Sequence, residues 1–349
     1  MSELFVGLDV HKKTIQVSVM DQDGREQINQ KIPNTPENIR SHIGSLPKGA
    51  KLVMESSSVW KGPFFQIRDK LGMDVMLSNP VTTKLIAESK KKTDKVDARI
   101  LADMLRGGYI MGCHVAGKQS SDNRDLVRHR YTLIRHRTSL KNSVHGILLQ
   151  RSVKFGGTPF SRPWVAQASR LKDYRIDTYM NTIRCINDQV HQIDARIRAA
   201  VKECRDARLI QTIPGIGAYS ALVIAAEIDG IGRFLNAKKL AAYAGIVPSV
   251  RSSGDAVHYG PITHKGSSIM RWVLTECTLV HLRYAPSSDI TVFYNRLAKK
   301  RGNSKATVAA AAKMLRTIYW MLKEKRAFVT NYDQDVGCDD HCGSNGSDL

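Results

Sequence analysis

The period of the apolar residues changes once along this chain, and that change joins two kinds of architecture end to end. Over the first eighty residues, short β-rich runs alternate with helix-like stretches. LFVGLDV and TIQVSVM, parted by HKK, read as a hairpin. TPENIRSHIGSL opens with Thr35-Pro36, a cap followed by proline at the first helical position. KLVMES and DVMLSNP are further strands, with helix-like WKGPFFQIRDKLG between them. This alternation predicts a mixed sheet covered by helices. From about Asp122 to Glu203 strand signals are few. Leu126, Leu133, Leu140 and Ile147 recur every seven residues, and Ile183, Ile186, Val190, Ile193, Ile197 and Ala200 follow a 3-4-3-4 spacing. Both predict long helices with a narrow apolar seam, as a coiled coil or as two helices of a bundle. KFGGTPFSRPW reads as the connector between them.

A third region begins near Arg208. It is helical, is broken at Pro214-Gly215, passes through a polar glycine-rich loop, VRSSGDAVHYGPITHKGSS, and ends in two more helices. The expected organisation is therefore α/β followed by all-α: a mixed-sheet domain over 1–112, a helical coiled-coil region over 113–205, a mostly helical domain over 206–330 and a polar tail over 331–349. The tail reads as disordered. Its Cys338, His341 and Cys342 are too short a cluster to argue strongly for a metal.

Charge narrows the choice of partner. The chain carries 53 Lys+Arg against 32 Asp+Glu, a formal net charge of +21. Such a surplus points to nucleic acid first and to an anionic membrane surface second. No apolar run reaches the ~18 residues a membrane span needs, so no membrane partner is expected. MSELFVGLDVHKK lacks the apolar core of a secretory signal, and Cys113, Cys185, Cys204 and Cys277 are dispersed, which fits a reducing cytoplasm. RHRYTLIRHR repeats Arg-His-Arg one heptad apart, with no acid on the helix after Asp125. Arg128, Arg130, Arg135 and Arg137 are therefore candidates for a phosphate track, against the plainer reading of a solvated face. IPGIG resembles a helix-hairpin-helix turn, in which Gly215 and Gly217 would expose backbone N–H groups to a phosphate.

The carboxylates carry the chemistry. Asp9 ends the first strand and Glu55 the third, while Asp94 and Asp97 lie three apart in KKKTDKVDARIL, at or near a helix start. Strand ends converge at one sheet edge, where α/β proteins place their sites. Each acid alone is as readily a turn residue, a cap or a surface ion pair worth under ~1 kcal/mol. Brought together they would repel one another, and divalent cations resolve that conflict. Mg²⁺ suits the role because it takes oxygen ligands and leaves positions open for water and phosphate. Two metals ~4 Å apart would activate a nucleophile and stabilise a leaving oxygen.

GLDVHKKTI, VMESSSVW and KTDKVDARILADML resemble the DEDD (RuvC-like) insertion-sequence transposases, and more narrowly the Piv/MooV-like insertion-sequence-one-ten family of bridge-RNA-guided serine recombinases. IPGIGAYSALVIAAEI, RFLNAKKLAAYAGIVPSVRSSG and HKGSSIMRWVL resemble that family's C-terminal transposase domain. The resemblance implies an RNase H-like first domain with Asp9, Glu55, Asp94 and Asp97 as its metal-binding tetrad. It also implies a catalytic serine in the second half, which falls on Ser253, with Ser252 as a second hydroxyl beside it. The implied activity is cutting and rejoining of DNA through a phosphoserine, directed by a guide (bridge) RNA that pairs with donor and target DNA. The implied assembly is a dimer or tetramer in a bacterial or archaeal cytoplasm, with a composite active site. Lys265 and Arg271 follow the serine at positions suited to neutralising a transferring phosphate. Two alternatives stand beside this: a Mg²⁺-dependent RuvC-like junction nuclease that hydrolyses with water, and a non-enzymatic basic DNA-binding protein.

Overall fold

The computed structural model describes residues 3–80, 83, 93–253, 256–263 and 266–329, with backbone alone at 250–253 and 256–259. Lys265 and the tail with Cys338, His341 and Cys342 lie outside the described residues. The chain forms two compact units, Met1–Val115 and Ala116–Leu349.

The first unit is built on a five-stranded sheet of order β3-β2-β1-β4-β5. Its strands are β1 (Phe5–Val10), β2 (Thr14–Met20), β3 (Glu26–Pro33), β4 (Lys51–Glu55) and β5 (Asp74–Ser78). β1 pairs antiparallel with β2 and β2 antiparallel with β3, whereas β1–β4 and β4–β5 are parallel. This is the mixed sheet expected from an opening hairpin followed by strand–helix alternation, and it fits an RNase H-like domain. Apolar patterning did not reveal β3. It is a polar edge strand in which Ile32 alone is buried, so it carries no alternating core face.

The two faces of the sheet have different jobs. One face buries Val6, Leu8, Leu52 and Met54 against Ile39, Ile43, Phe64 and Ile67. Truncating any of these fully buried leucines would cost about 2–5 kcal/mol. The covering helices are short. α1 (Pro36–Asn38) starts where Thr35 Oγ1 accepts from Asn38 N, and it runs into a π-helical turn at Ile39–Ile43. α2 (Lys61–Phe65) likewise runs into a π-helical turn at Gln66–Lys70. The opposite face carries α3 (Asp94–Arg106), packed through Leu101 and Leu105 on Phe5 and Val53. Gly7 is what lets α3 sit so low. A Cβ there would lie 2.0 Å from the Ala98 carbonyl oxygen and 2.6 Å from Ala102 N.

The second unit is helical apart from one ribbon. α4 (Lys118–Gln150) and α6 (Tyr174–Glu203) pack along each other, with Ile147, Ile183, Val190, Ile193 and Ile197 of the expected seams buried. One end of this pair shares a core with the helices that follow: Val127, Ile193, Ile197 and Val201 pack with Leu222, Ile224, Leu274 and Met314. The following helices are α7 (Arg205–Gln211), α8 (Ala218–Ile228), α9 (Ala237–Ala244), α10 (Ser268–Tyr284), α11 (Asp289–Arg301) and α12 (Asn303–Glu324). The other end of the pair has its own small core of Val144, Ile147, Leu148, Trp164, Ala168 and Ile176.

That second core corrects the connector reading. KFGGTPFSRPW is loop only as far as Ser161; α5 (Arg162–Ser169) then starts with proline in its first turn and buries Trp164. The polar loop after Pro248 is also more regular than expected. It is a two-stranded antiparallel ribbon, β6 (Pro248–Ser253) and β7 (Ala256–Ile262). Glycine and polar residues hide such a ribbon because they give no apolar alternation. Among the described residues no helix is long and apolar enough to cross a membrane.

Candidate active site

Asp9 and Glu55 are brought together by strand register. β1 and β4 run parallel with Gly7 opposite Val53 and Leu8 opposite Met54, so the next pair in register is Asp9 and Glu55. Side chains alternate along a strand. Gly7 and Val53 face α3, and therefore so do Asp9 and Glu55, two residues further on. The start of α3 lies over that same face. Thr93 Oγ1 caps the helix by accepting from Val96 N, which places Asp94 and Asp97 in the first turn. Carboxylates there are also favoured by the helix dipole.

The nearest groups are Asp9, His11 and Asp94, which offer ligand atoms all within 4.8 Å of one another. His11 Nε2 lies 3.1 Å from Asp9 Oδ2 and 3.4 Å from Asp94 Oδ1. Lys31, from the edge strand β3, donates to Asp94 Oδ2 at 2.8 Å. The same strand braces the helix start, since Asn29 Nδ2 donates to the Lys95 carbonyl at 3.2 Å. Burial pushes the Asp9 carboxyl above its ordinary pKa; His11 opposes this, and the negative charges of Asp94 and Asp97 add to it. Asp94 moves the other way, held below the usual range by its Lys31 hydrogen bond and then by His11. Burial thus disfavours the charged form of Asp9, while Asp94 is paired with a lysine.

The residues expected to hold nucleic acid fall into different settings. Arg128 pairs with the buried Glu227 of α8 at 2.8 Å. Arg130 pairs with Asp194 of α6 at 2.6 Å and lies 4.3 Å over the Tyr219 ring. Arg137 donates to Asn187 at 2.9 Å. The inference that this arginine run lacks balancing acids holds only along its own helix; α6 and α8 supply them. Arg135 is the exposed exception: among the described residues it has no carboxylate partner, and it lies 5.9 Å from the Tyr131 ring. Gly215 has φ +93°, and a Cβ there would meet His281 N at 2.7 Å, so glycine is required by close packing on α10. Gly217 caps α8, and its Cβ position is open. Arg271 donates to the carbonyls of Ala244 and Gly266. Ser253 ends β6 opposite Ala256, and Ser252 lies opposite Val257.

Two transposase family models match this chain in order. The DEDD transposase model of IS110 elements covers residues 6–152, and the Transposase IS116/IS110/IS902 family model covers residues 207–292. This chain belongs to the IS110 family of transposases. A transposase for insertion sequence element IS1111A from Coxiella burnetii is 23% identical over 338 residues, covering 93% of this chain and 90% of the relative. An IS110 insertion-element protein from Streptomyces coelicolor is 20% identical over 383 residues, covering 92% and 94%. The pilin gene-inverting protein of Moraxella bovis is 28% identical over 160 residues, covering 45% and 49%. The protein is thus an insertion-sequence transposase, an enzyme that cuts and joins DNA.

A DEDD transposase implies a divalent cation, and the donor set of this IS110-family chain fits one. Carboxylate oxygens of Asp9 and Asp94 and one imidazole nitrogen of His11 converge within ligand reach. His11 is the site residue that sequence reading passed over, because HKK was read only as the turn between β1 and β2. The usable signal was its place two residues after Asp9. Lys31 could not have been found, since it lies on the unread strand β3.

Proposed function

We propose that this transposase holds Mg²⁺ with Asp9, Glu55, Asp94 and Asp97 and cuts DNA with Ser253 as the nucleophile. The convergence of Asp9, His11 and Asp94 carries the reading, with Glu55 next in register to Asp9 and Asp97 in the same first helical turn as Asp94, neither of them within that close group. The cation, when bound, would stabilise the charge of the reacting phosphate. The serine oxygen forms a bond to phosphorus as the bond to a DNA oxygen breaks. The departing oxygen takes up a proton and leaves as a hydroxyl. An incoming DNA hydroxyl then attacks the phosphoserine, restoring the phosphodiester and the free serine. No bond energy is lost to water, so rejoining needs no ATP. The serine joins the carboxylates of another protomer, which calls for a dimer or tetramer. Donor and target are chosen by a guide RNA, and the +21 charge suits binding of both nucleic acids through their phosphates.

A RuvC-like junction nuclease is the second reading, and one observation favours it: all four carboxylates lie within the unit Met1–Val115. The two readings part at the covalent intermediate. Nicked suicide substrates should trap an SDS-resistant protein–DNA adduct, and mass spectrometry should map it to Ser253. Ser253→Ala should lose strand exchange by roughly a thousandfold or more, with Ser252→Ala active. DNA cut by the wild type with no adduct would favour hydrolysis by water. An adduct on Ser252 would reassign the nucleophile. Sequencing RNA that copurifies with the protein tests the guide.

A further inference from the structure

α4, with α8 and α10 contributing one side chain each, lines an open cleft of about 430 Å³ within the second unit. That size lies within the ~300–1,000 Å³ of typical small-ligand sites. α4 lines it with Tyr131, Arg135 and Asn142, α8 with Tyr219 and α10 with Trp272. Tyr131 and Trp272 have ring centroids 5.5 Å apart at an interplanar angle of 55°. Trp272 is 42% exposed, so a large apolar face is left at the rim of a basic cleft. Arg128 and Arg130 are tied to carboxylates, but Arg135 has no carboxylate partner among the described residues. Asn142 and its hydroxyl-bearing neighbour Ser139 add donors and acceptors to the wall.

An exposed tryptophan backed by a half-buried tyrosine, a guanidinium with no carboxylate partner and a polar wall match the parts of a nucleotide: a base face, a phosphate and base edges. A duplex does not meet this chemistry, because its bases are already stacked on one another. An acidic peptide would use the arginine and leave the rings idle.

We propose that this cleft holds one unpaired nucleotide of a nucleic-acid strand, its base against Trp272 and Tyr131 and its phosphate against Arg135. The proposal rests on the reading of the chain as a nucleic-acid enzyme, and on neither its carboxylates nor its serine.

The test uses the full chain and fluorescence anisotropy with labelled dT5, rU5 and a mixed-sequence duplex. Trp272→Leu should weaken pentanucleotide binding roughly tenfold and leave duplex binding unchanged. Trp272→Phe should restore most of the loss. Arg135→Ala, at an exposed position that folding does not need, should weaken binding and reduce the salt slope by about 1. A loss confined to dT5 marks a DNA strand, one confined to rU5 marks RNA, and a loss on both marks a site for either; each supports the proposal. Unchanged pentanucleotide binding in both Trp272→Leu and Arg135→Ala overturns it, as does an equal loss on the duplex. A changed oligomeric state with unchanged pentanucleotide binding would overturn it and give the cleft to a second copy of the chain. Normal duplex binding alongside a flat pentanucleotide response would sink the cleft alone. No binding to any of the three probes would sink the nucleic-acid reading as well.

Discussion

Asp9 sits where burial disfavours a charge. Burial and the nearby Asp94 and Asp97 raise its pKa above the ordinary 3.8, so its ionised form is worse off folded than unfolded. At pH 7 the carboxylate therefore costs stability. The cost fades as pH falls through the raised pKa and is absent below 3.8, where Asp9 is protonated in both states. Asp9→Asn should accordingly melt higher than wild type at pH 7 in EDTA, by a few degrees in a thermal scan, with the gap closing in acid. Added Mg²⁺ should raise the melting temperature of wild type and not of Asp9→Asn. A destabilised Asp9→Asn protein at pH 7 would mean that the acid is structural. The trade of stability for a charged site is common at active centres. The four acids stood out as candidates in the sequence because two end strands and two lie three apart at a helix start. Lys31 was not, because a lone lysine in a polar stretch carries no pattern.

The element that decides the site is α3, and its seat is Gly7. Any Cβ at that position runs into backbone atoms of Ala98 and Ala102, which no rotamer change relieves. Gly7→Ala should push α3 off the sheet and cost about 1–3 kcal/mol by urea denaturation. Because Asp94 and Asp97 ride on the first turn of α3, the same substitution should weaken divalent-cation binding by calorimetry. Wild-type stability and cation affinity in Gly7→Ala would show that the helix start does not set the site. Elements with an apolar run or an apolar stripe were readable from sequence: β1, β2, β4, β5 and the long helices α4 and α6. The missed elements share a physical cause. β3 and the β6–β7 ribbon are paired by backbone hydrogen bonds, and their sequences show no apolar alternation. α5 is a short helix that buries only Trp164 and Ala168. The ion-pair partners of the arginine run went unseen for a related reason. Its partners Glu227 and Asp194 are distant in sequence, so local charge counting could not see them.

Across the whole molecule, the two largest hydrophobic cores lie in separate units, and the Asp9–His11–Asp94 group belongs wholly to the first. Calorimetry should resolve two unfolding transitions, with Mg²⁺ raising one of them and leaving the other in place. A single transition that moves as a block would show that the units unfold together. The most direct test of the site is cleavage of the polypeptide by Fe²⁺ bound in place of Mg²⁺, with ascorbate and peroxide generating hydroxyl radicals at the ion. Cuts should cluster near residues 9, 55 and 94–97, fade with excess Mg²⁺ and vanish in Asp9→Asn. Cuts scattered elsewhere, or cuts at these places that neither Mg²⁺ nor the substitution affects, would contradict a shared cation among these acids.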